Sequence, residues 1–318
     1  MKNQKVLVTG GTGFVGIHTI LQLLEQGYRV NTTLRSLSRK NVVVNALEEG
    51  GVKDLSGLSF FETELTSDKG WDEAVAGCDY VLHIASPFPA KDPQDENELI
   101  VPARDGALRV LKAAKNAGVK RVVLTSSFAA VGYSVDIEGH VFTEEDWTDV
   151  NIPLPAYIKS KTVAERAAWE FVESEGKGLE LTVINPVGIF GPALGGITSA
   201  SLDIAITGII NGTTSQSGNF TMGVVDVRDV ADIHIKAMNS PVAAGERFLA
   251  NADGVMSFYD VAELIRSERP SMSAQIASMQ PTPVQFYKQM SNQKARTMLN
   301  WKPGTREAAI LSSVDSLQ

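Results

Sequence analysis

The sequence predicts an α/β fold built on a doubly wound parallel sheet, and three observations carry that expectation. Short apolar runs alternate with helical stretches along the first 186 residues, the pattern of strands covered on both faces by crossover helices. The first run, Lys5-Val6-Leu7-Val8, passes into the glycine-rich turn Thr9-Gly10-Gly11-Thr12-Gly13-Phe14-Val15-Gly16, and a helical stretch follows at once. Midway, Tyr157-Ile158-Lys159-Ser160-Lys161 opens another long helical stretch.

Taken in order, strands are expected over 6–9, 28–34, 59–63, 80–85, 121–126 and 179–185, where apolar residues cluster at strand lengths. Residues 14–26 place Val15, Ile20, Leu23 and Leu24 close to helical spacing, and 156–172 also reads as a helix. The pattern changes after Pro186. Residues 191–223 are rich in Gly, Ser and Thr, with a short helix expected over 201–210 and a loop over 211–223. A segment beyond the strand ends of an open α/β sheet is where a substrate pocket forms. The expected division is a dinucleotide-binding, Rossmann-type domain of residues 1–186 and about 224–250, with a smaller C-terminal substrate-binding region of about 187–223 and 251–318.

Composition narrows the partners. A formal charge of −8 disfavours nucleic acid, which asks for a basic face. No long apolar span and no signal-peptide pattern occur, so a soluble cytoplasmic protein without a membrane partner is expected, as a monomer or homodimer acting on a small molecule. Cys78 is the only cysteine, which excludes an internal disulfide and reads as a small buried residue. The four histidines stand in unrelated contexts, so no metal site is expected.

Each glycine of the first turn has a separate task. Gly10 lets the chain reverse at the strand end, Gly13 removes a side chain where backbone must approach a pyrophosphate, and Gly16 lets the helix pack closely on the sheet. The helix start then offers N–H groups and a favourable dipole to the phosphates. At the end of the second strand, where a carboxylate would bind an unmodified ribose, the chain carries Leu34-Arg35-Ser36, followed by Arg39 and Lys40. A guanidinium pairs with a 2′-phosphate that a carboxylate would repel, which favours NADP(H) over NAD(H) as cofactor. Arg39 or Lys40 is available to add a second charge.

Tyr157 and Lys161 lie four residues apart on the expected helix, hence one turn apart on one face. A free tyrosine has a pKa near 10; a neighbouring ammonium is expected to lower it toward the working range of a general acid. Val122-Val123-Leu124-Thr125-Ser126-Ser127 is a strand ending in hydroxyls at the sheet edge where ligands bind, and periodicity alone does not choose between Ser126 and Ser127.

Together these motifs resemble the extended short-chain dehydrogenase/reductase family: TGGTGFVG at 9–16, a serine before a Tyr-x-x-x-Lys, and Asn185-Pro186 followed by Phe190-Gly191-Pro192. The stretches 80–88 (YVLHIASPF), 122–127 (VVLTSS), 157–161 (YIKSK), 225–230 (VDVRDV) and 292–303 are most similar to its dihydroflavonol-reductase-like branch of NADPH-dependent aldehyde and ketone reductases. The resemblance implies that Ser127 orients a carbonyl, that Tyr157 is the acid, and that Lys161 binds ribose and lowers the tyrosine pKa. It implies that Gly10, Gly13, Phe14, Val15, Gly16, Ala85, Ser86, Tyr157, Lys161, Pro186 and Val187 border the cofactor, with Arg35 on the 2′-phosphate. Where relatives usually have Asp-Leu against the adenine, this chain has Glu64-Leu65. Phe88, Phe128, Tyr133 and Ile189 flank the motif strands and are candidates for the substrate pocket. Two other activities share the scaffold: a nucleotide-sugar epimerase or dehydratase, and a non-catalytic NADPH sensor. The first needs a cationic clamp for a sugar diphosphate, and 187–224 contains no Lys or Arg; the second commonly lacks the tyrosine.

Overall fold

In chain order the strands are β1 (Lys5–Val8), β2 (Arg29–Leu34), β3 (Leu58–Glu62), β4 (Tyr80–His83), β5 (Arg121–Thr125) and β6 (Val141–Phe142). They continue with β7 (Glu180–Pro186), β8 (Gly188–Phe190), β9 (Thr221–Asp226), β10 (Arg247–Ala250), β11 (Val255–Ser257) and β12 (Gln289–Met290). The structure, a computed structural model, describes residues 4–87, 93–134, 137 and 139–317. Seven strands form one sheet in the order β10-β7-β5-β4-β1-β2-β3, with every pairing parallel. The six strands expected from sequence are all in it, within two residues at either end.

Alternation of side chains decides which residue faces which layer. Val6, Val8, Leu82, Val123 and Ile184 pack into one cluster with Ile17, Ile20 and Leu23 of α1 (Phe14–Glu25), with α2 (Lys40–Glu49) and with helix Val227–Asn239. Leu7, Val81, Val122, Leu124 and Val183 point the other way, against α3 (Trp71–Val75), α4 (Asn97–Asn116) and α5 (Ala156–Glu173). Both faces are therefore apolar, as a parallel sheet under two helical layers requires. Chain order reverses between β1, which leads outward to β2, and its other neighbour β4. The crevice at their carboxyl ends is the place such a sheet offers to a ligand.

Beyond β7 the architecture changes. β8 pairs in parallel with β9, and β9 antiparallel with β11, in a separate three-stranded sheet. A two-stranded ribbon joins β6 to β12. Residues 200–210 are helical as expected, although 203–207 form a π-type segment. The expected loop over 211–223 is corrected at its end, because Thr221, Met222 and Gly223 belong to β9. A glycine inside a polar stretch suggests a loop, but here it answers a packing demand: a Cβ on Gly223 would press on Val187 Cγ1 at 2.7 Å and on Met290 Sδ at 3.0 Å.

Candidate active site

The glycine turn closes β1 onto α1. Gly10 has φ +74°, a backbone region that side chains resist, and a Cβ there would meet Ala85 Cα at 3.1 Å. A Cβ on Gly16 would collide with the carbonyl of Gly10, and one on Gly11 with Thr32 Oγ1. Gly13 differs. It is exposed, and its Cβ would meet a single atom, Gly10 O at 3.2 Å. It starts α1 without a side-chain cap, and no acidic residue occupies the first turn of that helix. The first N–H groups of the helix, those of Phe14, Val15 and Gly16, have no intrahelical acceptor by geometry. An open, uncapped and acid-free helix start fits a dinucleotide pyrophosphate.

Thr9 fixes the neighbouring strand end. Its Oγ1 accepts hydrogen bonds from the N–H of Ile84 at 3.0 Å and Ala85 at 2.9 Å, and lies 2.8 Å from His83 Nδ1. With two donors already on its oxygen, the Thr9 hydroxyl hydrogen goes to His83 Nδ1, which leaves the ring proton on Nε2. Burial and the nearby Lys161 charge push the His83 pKa down to about 3, so the ring is neutral.

On α5, Tyr157 lies in the first turn and Lys161 follows one turn later, 8 % exposed and therefore turned inward. Lys161 Nζ donates to Ser86 Oγ at 2.9 Å and sits 5.8 Å from the centre of the Tyr157 ring. Burial pulls the lysine pKa down to about 8, opposed by the Glu165 carboxylate. The tyrosine departs from the sequence expectation: its pKa is raised, by burial first, with a smaller push from Tyr133, while a hydrogen bond with Ser127 pulls it back. Desolvation of the phenolate outweighs these neighbours, so Tyr157 holds its proton at neutral pH.

The two serines part company here. Ser127 is hydrogen-bonded to Tyr157, and its Oγ also accepts the N–H of Ala129 at 3.1 Å. Ser126 points the other way and donates to Glu165 Oε2 at 2.5 Å in a buried pocket. Phe128 is buried, edge-on to Tyr133 at 5.9 Å and to Phe142 at 5.3 Å, and Tyr133 keeps 42 % of its surface exposed. Pro186 ends β7; Val187 is half-buried and its N–H reaches Ala250 O at 3.3 Å. Ile189, in β8, packs between two apolar clusters. Phe88 lies outside the described residues.

Arg35 is exposed just past β2, and among the described residues neither it nor Arg39 makes an ion pair. Lys40 is placed differently, with its Nζ 5.0 Å from the centre of the Phe60 ring. Glu64 is exposed and its carbonyl accepts Trp71 Nε1 at 3.2 Å; the Leu65 side chain packs on Gly106 of α4. Cys78 is buried, and burial pushes its thiol up to about 11. No cluster able to hold a metal occurs among the described residues, and no described helix is long and apolar enough to cross a membrane.

Sequence reasoning missed a buried polar group behind the serines. Glu165, fully buried on α5, takes Ser126 Oγ and Asn185 Nδ2 on Oε2 and faces Arg247 Nε at 2.7 Å from Oε1. The signal for it was present: Tyr157, Lys161 and Glu165 repeat every four residues along one helix face. Arg247 stands just before the apolar Phe248-Leu249-Ala250, an unexpected place for a cation without a partner. Removing one partner of such a buried pair typically costs about 3–5 kcal/mol.

Fold and site geometry together describe a dinucleotide-dependent α/β enzyme, and comparison with known proteins gives its family. The chain belongs to the NAD dependent epimerase/dehydratase family, the extended short-chain dehydrogenase/reductases, which it matches over residues 6–250. It is 34 % identical over 319 residues to a putative NADPH-dependent methylglyoxal reductase of Candida albicans, covering 93 % of each chain. It is 35 % identical over 322 residues to a cinnamoyl-CoA reductase of Medicago truncatula, covering 98 % of this chain and 95 % of that one. Among solved structures, yeast methylglyoxal/isovaleraldehyde reductase complexed with NADPH superposes with a TM-score of 0.85 at 27 % identity, over 99 % of this chain and 98 % of the other. Membership and relatives make the chain an oxidoreductase.

Proposed function

We propose that this protein reduces small aldehydes or ketones to alcohols with NADPH. The observation that carries the reading is the Ser127–Tyr157 hydrogen bond with Lys161 one helical turn behind it, at the strand ends that also bear the glycine turn. The NADPH dependence of its relatives and the exposed Arg35 beyond β2 support the choice of cofactor. Gly10, Gly13, Phe14, Val15 and Gly16 would hold the pyrophosphate; Ala85, Ser86 and Lys161 the adjoining ribose; Pro186 and Val187 the nicotinamide; Glu64 and Leu65 the adenine.

Bound NADPH supplies a hydride to the carbonyl carbon. Ser127 holds the carbonyl oxygen by a hydrogen bond that strengthens as negative charge develops there. Tyr157, kept protonated by its buried setting, gives its proton to that oxygen, and the phenolate left behind faces the Lys161 charge until it regains a proton from water. Phe128, Tyr133 and Ile189 supply an apolar and aromatic surround, and the lack of Lys or Arg over 187–224 suits an uncharged substrate better than a sugar diphosphate. The cofactor half is proposed as residues 1–186 and about 224–250, the substrate half as about 187–223 and 251–318.

The test is NADPH oxidation by the purified protein, followed spectroscopically against small aldehydes, α-keto esters, diketones and aryl ketones. Turnover with at least one class is expected. No oxidation with any of them, in protein shown to bind NADPH, would turn the reading toward a sensor.

A further inference from the structure

Behind the proposed acid and its lysine lies the buried carboxylate of Glu165, whose partners come from three other elements. Ser126 Oγ, at the end of β5, donates to Oε2 at 2.5 Å, and Asn185 Nδ2, from β7, donates to the same oxygen at 2.7 Å. The second hydrogen of that amide reaches Ser127 O at 3.2 Å. Arg247 of β10 balances the charge across Oε1, while its Nη1 is held at 3.0 Å by the carbonyls of Glu144 and Asp146. Its guanidinium carbon lies 3.7 Å from the centre of the Trp147 ring, with Arg166 on the same ring at 5.0 Å. Trp169 Nε1 completes the set at 3.4 Å from Oε1.

We propose that Glu165 is a positioning residue of this site: through Ser126 and Asn185 it fixes the backbone that aims Ser127 at Tyr157, and it places a negative charge, shared with Arg247, one helical turn from Lys161. The inference rests on the reading of Ser127, Tyr157 and Lys161 given above. Three features favour it over simple core filling. Burying a carboxylate is costly unless each oxygen is paired, and this one spends Oε2 on the two residues that flank the Ser127 backbone, Ser126 and Asn185. It lies one helical turn beyond Lys161, as Lys161 lies one turn beyond Tyr157. Of the groups that face Lys161, His83 on β4 is neutral and Tyr157 on α5 is uncharged, so Glu165 supplies the negative charge that opposes the loss of the lysine proton.

The experiment is the pH dependence of kcat/KM at saturating NADPH in the wild type, Glu165→Gln and Glu165→Asp, with Tm and NADPH affinity measured alongside. The alkaline limb reports Tyr157 and Lys161 as a coupled pair. Removing a negative charge one helical turn away eases proton loss from either member, so the limb of Glu165→Gln moves to lower pH, by about one unit. Glu165→Asp keeps the charge on a shorter stem that no longer reaches both Ser126 and Asn185. Its limb stays near the wild-type position while kcat falls about 10–100-fold, the cost of a misplaced group, with NADPH affinity retained. A purely structural Glu165 would lower Tm in both variants and leave the limb unmoved; a limb at the wild-type position in folded Glu165→Gln overturns the proposal whatever kcat does. If Glu165→Gln does not fold, Glu165→Asp decides, and a full kcat there overturns it. Tyr157→Phe is run as a control. Its inactivity, beside an unmoved limb in Glu165→Gln, removes this inference alone, whereas a fully active Tyr157→Phe removes the reading beneath it.

Discussion

The proposed cofactor edge of the seven-stranded sheet is lined by backbone, hydroxyls and charge, whereas the side built from β8, β9 and the β6–β12 ribbon gathers an apolar cluster. On the first side stand the uncapped start of α1, the Thr9–His83 pair, Lys161 bonded to Ser86, and Arg35 beyond β2. On the second, Phe128, Phe142, Val187 and Met290 gather into an apolar cluster, and 187–224 carries no cation. On the function proposed above, that contrast would give recognition by charge to the cofactor and recognition by shape to the substrate. Ser127, Tyr157 and Lys161 stand between, on elements of the large sheet and its helical layer.

That contrast can be broken at the hydroxyls first. Ser127→Ala removes the bond to Tyr157 and to the proposed oxyanion, and kcat should fall by ~10²–10³-fold, the usual cost of one such donor. Ser126→Ala touches only the buried Glu165 side and should be milder. Steady-state kinetics of the two variants decide; a crippled Ser126→Ala beside a mild Ser127→Ala would reverse their roles.

A smaller effect sharpens the cofactor side. A hydrogen bond to a charged group is worth ~1.5–3 kcal/mol, or about one to two powers of ten in affinity. Arg35→Asp replaces a phosphate partner with a repelling charge, so kcat/KM for NADPH should drop by at least that factor while the value for NADH holds or rises. The two values must be compared at one ionic strength, because exposed charges are screened. A ratio that Arg35→Asp leaves alone would shift the role to Arg39 or Lys40.

The same two sides differ in how far they could be read from sequence. β1, β4 and β5 are apolar on both faces, and that double burial writes a continuous hydrophobic run that needs no partner to recognise. β8 and β11 are three residues long, β6 and β12 two, and each is defined by a neighbour distant in the chain. β9 was hidden by Gly223, whose reason is the Val187 and Met290 packed against it. Within the site, the shared helix face of Tyr157 and Lys161 follows from spacing alone. The choice between Ser126 and Ser127 does not, since it depends on which way the strand end turns. Nor does the direction of the Tyr157 pKa, because a lysine neighbour is visible in a sequence and the cost of desolvating a phenolate is not.

The central claim is that the Tyr157 hydroxyl delivers the proton and is not needed for cofactor affinity. It is tested most directly by measuring NADPH affinity and kcat in Tyr157→Phe, with whichever carbonyl compound the wild type turns over. An unchanged Kd for NADPH with kcat reduced ~10²–10⁴-fold, the range of general acid catalysis, is the expected result; near-full reductase activity in the Phe variant would contradict it.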